Sequence, residues 1–67
     1  MKNGSIRYWD PGKGYGFIAT DEGDELFLHV SELEATLAPN AICAGLRVRF
    51  DIRGELRGDK AIRVRKA

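Results

Sequence analysis

The side chains best placed to do chemistry in this 67-residue chain are rings and cations, not nucleophiles or metal ligands. In "KGYGFI", Lys13 to Ile18, Tyr15 and Phe17 stand two residues apart. In "LFLHV", Leu26 to Val30, so do Phe27 and His29. A spacing of two puts both members of a pair on one face of a β-strand. If the two strands pair, four flat rings share that face, and Tyr8 upstream is placed to join them. Rings on a water-facing surface stack on flat aromatic ligands, and each nucleobase stacked on such a ring gains about 1–3 kcal/mol. Lys13 lies beside the rings to meet a phosphate, with Arg7, Lys60, Arg63 and Arg65 as further cations. The chemistry implied is non-covalent binding of single-stranded nucleic acid.

Covalent and metal chemistry find little support. The one histidine, His29, has no adjacent Ser or Cys nucleophile and no carboxylate to orient it, so no acyl-transfer scheme assembles. The carboxylates are scattered or sit in turns, and no two form an acid/base couple. One Cys and one His do not make a zinc set, so neither metal nor cofactor is expected. "GKG" lacks the rest of a phosphate-gripping P-loop, and "GYG" does not continue as GxGxxG because position 19 is Ala19. Cys43, alone in the apolar "AICAG", is expected to be partly buried and inert. No apolar run is long enough to span a membrane and no signal peptide is evident, which points to the cytoplasm. An enzyme is not expected.

Short strands must position the rings. One domain over residues 1–67 has room for five of them. "GSIRYWD", Gly4 to Asp10, reads as the first, with Ile6 and Tyr8 sharing a parity that Trp9 breaks. "DPGKG" is a turn, since Pro11 sets φ and Gly12 and Gly14 tolerate positive values. Gly14 to Thr20 form the second strand, with Ile18 inward and Tyr15 and Phe17 outward; Gly16 leaves space or a bend on the inner side. After the "DEGD" turn, "ELFLHV" buries Leu26 and Leu28 and exposes Phe27 and His29. Ser31 to Gly45 read as a long connection with one helical turn, Ser31 as its cap and Glu34 as the capping partner, ended by Pro39 and Asn40. "LRVRFDI" turns Leu46, Val48, Phe50 and Ile52 inward. "AIRVRKA" turns Ile62 and Val64 inward and Arg63 and Arg65 outward. A sheet this small has edges to hide, and curling into a barrel hides them.

Charge is segregated along the chain. Residues 1–20 are mildly basic, 21–45 carry Asp21, Glu22, Asp24, Glu25, Glu32 and Glu34 with no Lys or Arg, and 46–67 are strongly basic. Either these charges cancel in three dimensions, or the two ends of the chain build a basic face with the acids elsewhere.

With both motifs in view, the chain resembles the bacterial cold-shock domain family over about residues 3–65. "KGYGFI" is similar to that family's first ribonucleoprotein motif and "LFLHV" to its second; "SEL" after the histidine-valine pair and the terminal "GDKAIRV" fit as well. The resemblance implies an all-β fold, a five-stranded antiparallel barrel of the oligonucleotide-binding type, with a short helical turn after strand three. It also implies low-specificity binding of single-stranded RNA or DNA through aromatics on strands one to three. Carried over, Lys13, Tyr15, Phe17, Phe27 and His29 fall on the family's binding positions. Where members read "KWFN" this chain reads "RYWD": an ungapped match places Tyr8 on the usual tryptophan and Trp9 on the usual phenylalanine, while counting back from Lys13 gives Trp9 the spacing of some shorter variants. Both rings are candidates. Val30 replaces a frequent aromatic, Asp10 and Arg63 replace asparagines, and Glu55–Leu56 replaces a glycine-proline pair. These departures predict weaker or differently tuned binding.

The expected partner is therefore single-stranded RNA or DNA, with nucleic-acid chaperoning or regulation of expression as the implied role. A protein-interaction module, with the same rings buried in a homodimer or strand-swapped dimer, is the alternative. Salt separates the two, because phosphate contacts weaken steeply with salt and an apolar interface does not.

Overall fold

A computed structural model describes residues 1–56 and 58–67. Five strands form: β1 (Lys2–Asp10), β2 (Tyr15–Thr20), β3 (Glu25–His29), β4 (Arg47–Glu55) and β5 (Gly58–Lys66). They close into a barrel in the order β1-β2-β3-β5-β4, with β4 returning to pair with β1. Closure removes the exposed edges that five short strands would otherwise present. The expectation of antiparallel pairing holds at four seams and fails at the fifth, where β3 and β5 run parallel at Phe27 and Lys60. The reason is parity. Five strands in a ring cannot alternate direction at every seam, so one neighbouring pair must be parallel.

The core is the inward half of each alternating strand: Ile6, Ile18, Leu26, Leu28, Val48, Phe50, Ala61 and Val64, capped by Leu37 and Ile42 from the long connection. Two expected core positions differ. Ile52 keeps the inner parity, opposite Ala61, but lies where the β4–β5 hairpin runs out beyond the packed interior and is exposed. Ile62 is only half-buried, and Ala61 takes the interior place instead. The cause is an extra residue in β5. Arg49 pairs with Arg65 but Asp51 with Ile62, so two steps on β4 match three on β5. Arg63 absorbs the excess with φ 53°, a left-handed conformation unusual for a side chain with a Cβ.

The connection from β3 to β4 holds two 3₁₀ turns, Val30–Glu32 and Pro39–Ala41. Ser31 does not cap the first. His29 does, through Nδ1, which accepts the Ser31 backbone N–H at 3.1 Å. The turn starts directly at the end of β3, which moves the cap two residues upstream of the expected position. Glu34 does not reach back as a capping partner; its backbone N–H donates to the Val64 carbonyl at 2.8 Å and ties the connection to β5. Pro39 starts the second turn and does not end the first, as suits a residue with φ preset and no N–H to leave unpaired. Cys43 is exposed, contrary to expectation, because Ile42 beside it takes the interior position.

The segregated charges largely meet in space. Arg47 forms a two-pronged pair with Asp21, at 2.8 and 2.7 Å. Lys2 meets Glu22, Arg7 meets Glu25, Lys60 meets Glu32 and Arg65 meets Glu34. The acidic middle of the chain thus partly neutralises both basic ends. Among the described residues Lys13, Arg49, Arg53, Arg63 and Lys66 make no ion pair.

Candidate nucleic-acid interface

The β2–β3 hairpin pairs Tyr15 with His29 and Phe17 with Phe27. Directly opposed residues share a face, so these four rings lie together while Gly16, Ile18, Leu26 and Leu28 turn inward and are buried. Phe27 is the hub. Its ring centroid lies 6.0 Å from Tyr15 at an interplanar angle of 29°, 6.0 Å from Phe17 at 73°, and 6.5 Å from His29 at 32°. These are the offset and edge-on arrangements that aromatic quadrupoles favour. Phe27 remains 37% exposed, which leaves ring surface for a ligand.

A bulge in β1 decides which of Tyr8 and Trp9 joins them. Ile6 pairs with Ile18, but Tyr8 pairs with Phe17 and Trp9 with Gly16. The extra residue is Arg7. Tyr8 therefore does not share the inward parity of Ile6; it comes to the outer face beside Phe17, 48% exposed. Trp9 turns the other way. It packs against the core, and its indole N–H donates to the Pro39 carbonyl at 3.0 Å. Trp9 as a stacking ring is thus corrected: the structure does not bring it to the ring face. Gly16 makes its position possible. A Cβ there would collide with the Tyr8 carbonyl oxygen and lie 2.9 Å from the Trp9 Cα and 3.0 Å from its Cε3. The glycine interleaved with the aromatics is the gap into which the first strand packs.

The turn before β2 is held by Asp10. Its Oδ1 accepts the backbone N–H groups of Gly12 at 3.0 Å and Lys13 at 3.1 Å, and its Oδ2 accepts the Tyr8 hydroxyl at 3.4 Å. Asp10 is therefore a turn-forming residue as well as a negative charge beside the rings. Desolvation, then the Asp10 charge and hydrogen bond, push the Tyr8 phenol above its ordinary value, so it stays a neutral donor. Beyond the turn, Gly14 holds φ 74° and lies against Val30, which takes the edge where no further ring stands.

His29 is oriented by Ser31. Nδ1 lies 2.8 Å from the Ser31 hydroxyl and accepts its backbone N–H, so in the neutral ring the proton sits on Nε2. Ser31 escapes a sequence reading that assigns it to a helix cap; it orients His29, and His29 caps the turn.

Of the expected cations, Lys13 is exposed next to Tyr15. Lys60 lies opposite Phe27 across the parallel seam, with Nζ 3.4 Å from Glu32. Arg7 is the exposed bulge residue, 3.9 Å from Glu25. Arg63 is exposed on β5, three residues beyond Lys60. Asp59 was not anticipated, and Glu55 and Leu56 stood out only as a departure from a glycine-proline pair. With Phe17, Phe27 and Lys60 they line a groove beside the rings. Among the described residues no group of His, Cys, Asp and Glu is placed to hold a metal ion, and no helix is long and apolar enough to cross a membrane.

Residues 2–67 match the 'Cold-shock' DNA-binding domain family. The chain is 33% identical to cold shock protein CspC of Bacillus subtilis over 67 residues, all of both chains. It is 36% identical to cold shock protein 1 of Lactiplantibacillus plantarum over 64 residues, 96% of each. It is also 33% identical to the retron Se72 cold shock-like protein of Salmonella heidelberg over 66 residues, 98% of each. A match along nearly the whole chain, joined to a closed five-stranded barrel with its rings on one outer face, places the protein in the cold-shock DNA-binding domain family.

Proposed function

We propose that this chain binds single-stranded RNA or DNA, with low sequence specificity, across the outer face of β1, β2 and β3. The observation that carries the reading is the contiguous ring set Tyr8, Tyr15, Phe17, Phe27 and His29, assembled by direct strand register and by the Arg7 bulge. Bases stack on the rings, Phe27 at their centre. Phosphates lie toward Lys13, which has no ion-pair partner among the described residues, and toward Arg7 and Lys60, whose partners a phosphate would compete with. Arg63 adds longer-range attraction from β5. A duplex hides its base faces, so the binding energy goes to open strands and shifts hairpins toward them. No bond is made or broken, and the proposed role is a nucleic-acid chaperone or regulator of expression in the cytoplasm, acting without catalysis.

The test is titration of a labelled oligopyrimidine at several salt concentrations. With about three phosphates neutralised, the slope of log K against log salt is about −2. A slope near zero favours the alternative, in which the rings bury against a protein partner. A homodimer by strand exchange is opposed by the closed barrel, which would first have to open a paired seam.

A further inference from the structure

The outside of β4 and β5 carries a second set of cations. On β4, Arg47, Arg49, Asp51 and Arg53 alternate with the buried Val48 and Phe50 and so face outward. The register sets Arg49 directly opposite Arg65, and Arg53 directly opposite Lys60. Like charges opposed across a ladder destabilise it. Neighbouring acids relieve this in part: Glu34 lies 3.9 Å from Arg65, and Glu32 lies 3.4 Å from Lys60. Asp21 takes Arg47, and Asp51, between the two arginines, lies 3.9 Å from the Met1 ammonium. Arg49 and Arg53 are exposed and make no ion pair among the described residues. No exposed ring shares this surface, since Phe50, the one aromatic of β4 and β5, is buried.

We propose that the outer face of β4 is a second, phosphate-binding track, on which Arg53 and Arg49 hold the backbone of a single strand that continues past the rings. The proposal rests on the ring-face reading above, and it adds a surface that contains no ring. Continuity is what names the occupant. Partners in register run Tyr8, Phe17, Phe27, Lys60, Arg53, one outward residue per strand from β1 through β2, β3 and β5 to β4. A strand that leaves Phe27 along this row crosses Lys60, which Glu32 already engages, and meets Arg53 as the first unpaired cation. Glu55 and Asp59 stand toward the hairpin end and repel phosphate, so the path turns the other way along β4. Arg49 lies four residues in that direction, about 13 Å at the rise of a strand. With cations and no rings, this track grips phosphates and reads no bases. A protein partner is less well matched, because the described outward side chains here offer only the half-buried Ile62 as an apolar anchor.

The experiment compares labelled thymidine oligomers of about 6 and about 14 nucleotides, the short one sized to the rings and the long one able to continue, by anisotropy at several salt concentrations. A longer strand has more ways to sit, so the ratio of the two Kd values is compared between wild type and variant, where that factor cancels. Arg49→Gln with Arg53→Gln should weaken the 14-mer about threefold to tenfold at low salt and leave the 6-mer within about twofold. The wild-type salt slope should steepen from about −2 for the 6-mer to about −3.5 for the 14-mer, and the double variant should return the 14-mer to about −2. Arg49→Lys with Arg53→Lys keeps both charges and should keep the 14-mer affinity. In the wild-type chain, amide shifts across residues 47–53 should move with the 14-mer and not with the 6-mer, a readout independent of any substitution. Equal effects of the glutamine pair on both lengths, or amides of 47–53 that ignore the 14-mer, would overturn the track and leave these arginines to another anionic partner. If Phe27→Ala weakens both oligomers while the glutamine pair changes neither, only the track fails. If neither oligomer binds the wild-type chain, the ring face and the track fail together.

Discussion

Replacing Phe27 with alanine separates the ring face from the core that supports it. Phe27 touches Tyr15, Phe17 and His29 at centroid distances of 6.0–6.5 Å and lies outside the core cluster. Truncation therefore opens no buried cavity. It removes ring contacts worth about 0.5–1.5 kcal/mol each, partly regained by water and neighbours, so a stability loss of about 1–2 kcal/mol is expected. Binding should lose about 1–3 kcal/mol, or roughly fivefold to 150-fold in Kd. The control is Trp9→Phe. Its indole bonds to the Pro39 carbonyl and packs inward, so that change should cost about 1 kcal/mol of stability and leave Kd near wild type. Anisotropy of a labelled oligopyrimidine reads Kd, and circular-dichroism melts confirm that both variants are folded. If Phe27→Ala stays folded and binds as wild type, or if Trp9→Phe loses more affinity than Phe27→Ala, the assignment of outer and inner rings is wrong.

Asp10→Asn keeps a side-chain oxygen for the Gly12 and Lys13 amides and removes a negative charge beside the rings; affinity should rise about twofold at low salt and the gain should fade as salt is added. Arg63→Gly relieves a left-handed residue, worth about 1–2 kcal/mol, against about 0.5–1 kcal/mol for glycine's extra freedom when unfolded; the net gain should raise Tm by a few degrees, and a fall in Tm would refute the strain. The Arg47 hydrogen bonds hold the Asp21 carboxyl below its ordinary range. A lowered folded-state value means the stabilisation is present above the ordinary carboxylate range and is lost as pH falls through the folded value. The Tm difference between wild type and Asp21→Asn should thus be steady near neutrality and shrink in acid; a difference that grows in acid would contradict it.

The ring face was legible because β2 and β3 are regular two-faced strands in which alternation alone places Tyr15, Phe17, Phe27 and His29 opposite Ile18, Leu26 and Leu28. The errors cluster where one strand carries a residue its neighbour does not. Bulges at Arg7 and Arg63 depend on the register of a partner strand, and no local pattern in "SIRYWD" or "AIRVR" encodes it. That is why the parity read for Tyr8 with Ile6 fails, why Trp9 does not reach the ring face beside Tyr8, and why Ala61 took the place expected for Ile62. The parallel seam was implicit once five strands were closed into a ring, yet strand patterns alone carry no direction. The groove itself stayed hidden for another reason: Glu55 and Leu56 stood out as departures from a glycine-proline pair, but that they and Asp59 line one groove with Phe17 and Phe27 depends on the chain folding back.

The parallel seam has a consequence for the order in which the molecule comes apart. β3 and β5 share one register pair, Phe27 with Lys60, whereas β4 and β5 share seven. Few ladder bonds make this seam the first to open, so amide exchange should be fastest along it. Under the proposed binding mode, an oligonucleotide resting on Phe27 and reaching Lys60 spans that same seam. The ligand then acts as a staple across the barrel's weakest joint, and occupancy by nucleic acid becomes a source of mechanical integrity for the protein that carries it.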